Sequence, residues 1–505
     1  MITPAWGRGD ASRVWASILI WGAFLGGALF LGLVVGVGQS MIALAFGGLL
    51  FTALLIPLLI RALGAQFDFV FWILLLSVVG SSIISALTRR PMSFVSTALL
   101  LCLAPLVMRN LLQLYRPRSL LVWALGASAL FYVVGVWSSL VGRSAPVAAT
   151  YSAVISLKPF LLLALGVCLK WTPRTDRAFW FFTRWAWTLL LAVALLQWFA
   201  PGIYQGVFAD VESVAERHPF LLGYPRATSL FAQPSILASF CSTLGLFLYI
   251  DFLMRRRIWL LLAAMAYLLI VVMSGQRQEL LAVFILVPLI YAVHKWQPGF
   301  TALVVATALA AALAAVFFWW FAEASVLQEL RNWGLADGIA DTTSARAVLY
   351  SDAFKLANQR WPLGTGFGTF GSVGSVKFDQ SLYVQLGYTA FWWFTQKSYL
   401  MDSYWSKYIA ETGWLGFVLQ FAVYLLAMKR VVDWTRLQRG AYFSRLALMS
   451  FAGLSYVLLI SPTAFSLAEP HGGLLAMTFV GVVWRLSREQ ASSTGGARGR
   501  IETSR

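Results

Sequence analysis

Unbroken apolar blocks, many of roughly 18–24 residues, recur along this 505-residue chain and leave few folds open to it. In hydrocarbon a backbone must bond its own N–H and C=O groups, so blocks of this length read as helices crossing a bilayer of about 30 Å. The composition agrees, at 60% hydrophobic and only 11% charged residues. The surface of a soluble protein of this length needs far more polar residues. Spans are expected at 14–36, 39–60, 66–87, 92–108, 119–141, 148–169, 178–199, 229–252, 257–273, 278–294, 299–321, 404–427, 443–463 and 470–486. The expected fold is all-α, a polytopic helical membrane protein with about 14 transmembrane helices.

Charge sets the expected orientation. With the N-terminus inside, the inner loops carry Arg109, Arg116, Arg118, Lys170, Arg174, Arg177, Arg255, Arg256, Arg257, Lys429, Arg430, Arg436 and Arg439. The short outer loops carry few cations, so the positive-inside rule favours an N-in/C-in arrangement. The Arg89–Arg90 pair is a local exception. The net charge of +18 is spread over short loops, which argues against nucleic acid as a partner. Cys102, Cys168 and Cys241 all fall inside apolar blocks, so neither a disulfide framework nor a metal-ligand spacing is expected. The first block is long and has no small-residue cleavage site, so it is expected to remain as a span.

The chain divides into an N-terminal scaffold at 1–200, spans bearing outer arginines at 201–321, a large outer loop at 322–402, C-terminal spans at 403–486 and a disordered tail at 487–505. The outer loop lies between spans 11 and 12, and loops of that length are usually functional. Within it, Ser344 to Asn358 reads as a helix with Ser344 as N-cap, ended by Pro362. A glycine-rich turn, Gly364 to Phe370, follows. It has no following Lys-Ser/Thr and no βαβ context, so nucleotide binding is rejected. Residues 378–399 are crowded with aromatics, suited to the membrane interface or to flat surfaces against sugar rings or a lipid chain.

Arg226, Arg277 and Arg346 are expected on the outer side. Guanidinium forks suit phosphate oxygens, and helix N-termini beside Arg277 and Arg346 favour anions. Each arginine alone is equally a helix anchor at lipid headgroups. Asp402 and Glu411 flank the start of the span after the loop. Asp402 reads as a helix cap or a base. Glu411, inside an apolar block, reads as a structural hydrogen-bond partner or a functional carboxylate. Lys158 is a mid-span cation without an assigned role. His218, His294 and His471 have no ligand or triad partner at a readable spacing.

These residues fall in a known order. The stretch from about 224 to 427 resembles the O-antigen ligase and O-antigen polymerase superfamily of bacterial membrane glycosyltransferases. The resemblance rests on Arg226 ahead of Leu230-Phe231-Ala232-Gln233-Pro234-Ser235, on Ser274-Gly275-Gln276-Arg277 and on Ala345-Arg346. It rests also on Pro362-Leu363-Gly364-Thr365-Gly366-Phe367-Gly368-Thr369-Phe370, and on Asp402 nine positions before Glu411-Thr412-Gly413-Trp414-Leu415-Gly416. Ligases of the superfamily typically carry a catalytic histidine where this chain has Asp402, and many polymerases carry other polar residues, which favours a polymerase.

The resemblance implies a GT-C-like arrangement and an enzyme of the bacterial inner membrane, active at its outer face. It implies transfer of glycan from a polyprenyl-pyrophosphate carrier to a lipid-linked repeat unit, with neither cofactor nor metal. Arg226, Arg277 and Arg346 would bind the pyrophosphate, Asp402 would act as general base, and Glu411 would belong to the catalytic group. A chain-length regulator and a flippase of the same pathway are implied partners, beside the lipid-linked donor and acceptor and membrane lipid. The alternatives are a ligase using lipid A-core as acceptor and, in another class, a secondary transporter. Transporters place polar sites near the midplane, and only Lys158 fits that.

Overall fold

A computed structural model describes residues 55, 67–88, 94–113, 120–207, 224–231, 233–297, 299, 301–302, 345–395, 400–401, 403–437, 440–464, 467 and 470–502. The long helices are α1 (Phe67–Thr88), α2 (Phe94–Gln113), α3 (Leu120–Gly142), α4 (Pro146–Cys168), α5 (Pro173–Phe199), α6 (Pro234–Arg255), α7 (Ile258–Ser274), α8 (Arg277–Trp296), α9 (Ala345–Gln359), α10 (Tyr404–Arg436), α11 (Ala441–Ile460) and α12 (Pro470–Glu502). Among the described residues, six are long and apolar enough to cross a membrane: α4, α5, α6, α8, α10 and α11. Four further helices are apolar over shorter lengths, at Phe67–Ile83, Val95–Leu111, Gly126–Gly142 and Ile258–Ser274. The chain is therefore a helical membrane protein. The spans expected at 14–36, 39–60 and 299–321 lie, but for isolated residues, outside the described residues.

Local chemistry explains the ends of these helices. Pro146, Pro173 and Pro234 sit at first helical positions, where a missing N–H costs nothing. The Thr172 side chain accepts the Thr175 amide at 3.2 Å and caps α5. Helix α12 runs through the stretch expected to be disordered, as far as Glu502. An Arg485–Glu489 pair one turn apart (2.8 Å) supports the start of that extension.

Ion pairs and hydrogen bonds fix which helix ends lie together. Asp251, near the end of α6, pairs with Arg445 near the start of α11. The start of α6 and the end of α11 therefore share the opposite side of the bundle. Helix α7 returns along α6, so its end, and Arg277 just beyond it, lie on that side too. The α5 end joins them through contacts with residues 225–229. We call this the upper end.

The opposite end holds a buried ion network that no motif announced. Asp251, wholly buried, accepts from Arg184 (2.8 Å), Arg255 (2.8 Å) and Arg445 (3.4 Å). Arg445 also bonds Asp176 at 2.6 Å, and Asp176 accepts the Trp171 indole N–H at 3.1 Å. Carboxylates thus compensate most of the cationic charge in a region where a lone ion is costly.

The segment expected as a straight span at 404–427 is a helical hairpin. In a straight helix Tyr404 and Tyr424 would stand about 30 Å apart. Their hydroxyls are 2.9 Å apart, and Trp405 packs edge-on against Phe417 and Phe421. The reversal occurs at Gly413, at φ 67° and ψ −171°, backbone that a residue with a Cβ rarely adopts. The first arm, Tyr404 to Thr412, therefore folds back along the second.

Candidate active site

Breaking a helix at Gly413 strips the carbonyls ahead of it of their partners. The glycine-rich turn supplies replacements. The amides of Thr365 and Gly366 donate to the carbonyls of Ala410 and Glu411, both at 2.8 Å. In return the Leu415 amide donates to the Pro362 carbonyl at 3.4 Å. On its other side the turn lies against the end of α3, where Ser139 Oγ accepts the Phe367 amide at 2.9 Å and Ser138 Oγ accepts the Gly364 amide at 3.2 Å. Three backbones converge here. A Cβ on Gly368, which also sits at φ 77°, would overlap the backbone of Ala148. The Gly364–Phe370 motif is thus a packing splice between α3, α4 and the hairpin.

Glu411 is wholly buried at the centre of the splice. Its Oε1 accepts the Gly368 amide (2.8 Å) and the Phe370 amide (3.4 Å), and its Oε2 accepts the Ser152 hydroxyl (3.0 Å). One turn earlier, Lys407 is also wholly buried, with its Nζ donating to Ser156 Oγ at 2.9 Å and lying 4.9 Å from the Tyr408 ring centroid. Lys407 belongs to no motif in the sequence. Its four-residue spacing from Glu411 was the available signal, since it places both on one helix face. Lys158 is buried two residues beyond Ser156 on α4. Asp402 and Ser344 lie outside the described residues. Ser403, next to Asp402, is buried beside Ser406.

The three arginines sit on elements that are bonded at the upper end. Residues 224–229 are laced to the end of α5. Gln197 Oε1 accepts the amides of Thr228 (2.8 Å) and Ser229 (3.2 Å), and Trp198 donates to the Pro225 carbonyl at 2.9 Å. The Ala227 amide donates to the Met273 carbonyl at 2.8 Å, which puts half-buried Arg226 beside the chain leading to exposed Arg277. Gly275, left-handed at φ 68°, ends α7 and sends the chain into α8 at Arg277. Half-buried Arg346 opens α9. That helix is tied to the turn after α11 by the Tyr350 hydroxyl, 2.8 Å from the Pro462 carbonyl. Gln197 is a lone polar residue inside an apolar block, and the partners it holds are about thirty residues away in sequence.

Among the described residues, the loop aromatics largely bury one another. Tyr383, Tyr388, Trp393 and Phe394 are buried, with Tyr383 stacked on Phe370 and Phe391 on Trp393. They are the core of a small subdomain. Tyr383 Oη accepts the Gly371 amide at 2.6 Å and bonds Ser375 Oγ, so this core grips the end of the glycine-rich turn. Burial, more than the nearby Asp352 charge, pushes the Tyr388 hydroxyl far up.

Arg277, Arg346, the glycine-rich turn and the hairpin with Glu411 thus fall in one continuous stretch of sequence, and that stretch can be compared with known families. Residues 260–421 match the O-antigen ligase family. No curated protein matches the chain. Members of the O-antigen ligase family are glycosyltransferase-like ligases and polymerases acting on lipid-linked glycans, and the resemblance to that superfamily stands over the matched residues. Arg226, Gln197 and the Ser152–Ser156 side of α4 lie outside the matched segment.

Proposed function

We propose that the protein is a polysaccharide repeat-unit polymerase of the cytoplasmic membrane, with its active site at the outer face. The observation that supports this reading is that the elements bearing Arg226, Arg277 and Arg346 are each bonded at the same end of the bundle, Ala227 to Met273 and Tyr350 to Pro462. The long loop, the arginines and the N-in/C-in charge pattern together support an outward-facing position for that end.

In the proposed reaction the acceptor sugar's hydroxyl oxygen attacks the anomeric carbon of the donor glycan. The bond from that carbon to the pyrophosphate oxygen breaks, and the carrier leaves as polyprenyl pyrophosphate with the electron pair. Negative charge grows on the leaving group, and fixed guanidinium groups lower the barrier by meeting it there. Asp402 takes the acceptor's proton as general base. Glu411 positions rather than reacts, because both of its oxygens face the backbone and Ser152. Aspartate rather than histidine at 402 favours a polymerase over a ligase.

The test pairs Arg277→Ala and Arg346→Ala with glycan profiling. Each variant is expected to express normally and to leave single repeat units attached without polymer. Wild-type polymer from both variants sinks the anion site. Loss of all attached glycan, single units included, points instead to a ligase.

A further inference from the structure

The turn after α11 is bonded on two sides. On one, the Tyr350 hydroxyl of α9 donates to the Pro462 carbonyl at 2.8 Å. On the other, Ser461 takes the Tyr404 amide on its carbonyl (3.2 Å) and the Trp405 indole N–H on its hydroxyl (2.8 Å). One short turn therefore joins the helix that opens at Arg346 to the first residues after Asp402 and Ser403. Arg346 and Tyr350 are four residues apart and share a helix face.

We propose that Tyr350 is a positioning residue, whose hydrogen bond to Pro462 sets the place of Arg346 relative to the segment that begins at Asp402. This rests on the reading of Arg346 as a pyrophosphate ligand and of Asp402 as the base. Transfer needs the pyrophosphate and the base held at a fixed separation across the anomeric carbon, because small misplacements cost rate steeply. The arginine is on α9, and Asp402 precedes the first arm of the hairpin by two residues in sequence. Between α9 and this turn the Tyr350 bond supplies a direct polar tie. Burial pushes the Tyr350 hydroxyl up to about 12, against the pull of the Ser403 hydroxyl and the Arg346 guanidinium. It is therefore a protonated donor near neutral pH.

The test compares Tyr350→Phe with Tyr267→Phe. The second also removes a hydroxyl bonded to a backbone carbonyl, that of Thr183 at 2.9 Å, but inside the bundle and away from the arginines. Purified full-length protein is assayed for binding of a polyprenyl pyrophosphate, for extension of a lipid-linked oligosaccharide and for melting temperature. Loss of one such hydrogen bond is expected to weaken polyprenyl pyrophosphate binding and to slow extension, each about fivefold, in Tyr350→Phe. Tyr267→Phe is expected to keep both at wild-type values. Unchanged binding and extension in Tyr350→Phe, with Arg346→Ala inactive, overturns the positioning role and leaves the site reading standing. Equal losses in the two tyrosine variants, in step with melting temperature, overturn it as well. A fully active Arg346→Ala removes the site reading and the positioning role together.

Discussion

Glu411 offers the sharpest test of what the glycine-rich splice does, because glutamine and leucine at that position separate its charge from its hydrogen bonds. The carboxylate takes the Gly368 amide at 2.8 Å and the Ser152 hydroxyl at 3.0 Å, with the Phe370 amide at the edge of bonding distance, 3.4 Å. Glutamine keeps one carbonyl oxygen for the Gly368 amide. It turns its NH₂ toward Ser152, whose hydroxyl can accept as well as donate. Leucine keeps neither bond and orphans a buried amide, a cost of about 1–3 kcal/mol. Both substitutions remove the same negative charge near buried Lys407, so that loss cancels between them. Leucine should therefore be less stable than glutamine by about 1–3 kcal/mol, with earlier proteolytic cleavage in the 363–371 turn. Unfolding of the purified variants measures the difference. Equal stability of the two refutes the hydrogen-bond account. A glutamine variant that melts like the wild type yet makes no polymer refutes the positioning role and makes Glu411 a reacting group.

Two further substitutions test the frame around the site. Asp251→Asn removes the carboxylate that Arg184, Arg255 and Arg445 share, and breaking a buried pair costs about 3–5 kcal/mol, so loss of folded protein on size exclusion is expected. Arg255→Ala touches the same carboxylate from a side chain 41% exposed and should cost less than about 1 kcal/mol; a similar loss in both rejects the network as the cause. Gly368→Ala drives a Cβ into the backbone of Ala148, so both melting temperature and polymer yield should fall, and wild-type values in both would show that the turn is not held as described.

The helical class and most helix positions were legible because apolar length is a local property of the sequence. The hairpin was not. Residues 404–427 carry an apolar composition like that of a through-going span, and only Gly413, followed by Gly416, marks a break. Whether such a glycine kinks a helix or reverses it is decided by distant partners, here the Thr365 and Gly366 amides that replace the lost helix bonds. The aromatic run at 378–399 was ambiguous for a similar reason. Rings that bury one another and rings that face lipid have the same composition, and only the fold of the loop makes Tyr383 and Trp393 a core. The grouping of Arg226, Arg277 and Arg346 rests on their order along the chain and belongs to the proposal. Gln197 and Lys407 were single polar residues whose partners are remote in sequence.

The hairpin also changes how the matched segment is understood. The Pro-Leu-Gly-x-Gly-x-Gly-x-Phe turn and the Glu-x-Gly-x-x-Gly stretch, nearly fifty residues apart, are two halves of one joint. Glycines bring the backbones together, Glu411 takes the turn's amides, and Gly413 frees the carbonyls that the turn's other amides fill. Neither half bonds fully without the other, since the turn's amides need Ala410 and Glu411 and the broken helix needs those same amides. The joint holds the subdomain that carries Arg346 against the first arm of the hairpin, whose start follows Asp402. If Arg346 and Asp402 act as proposed, a substitution in either half should disturb the spacing between them without touching either one, as a site holding two lipid-linked substrates in register would require.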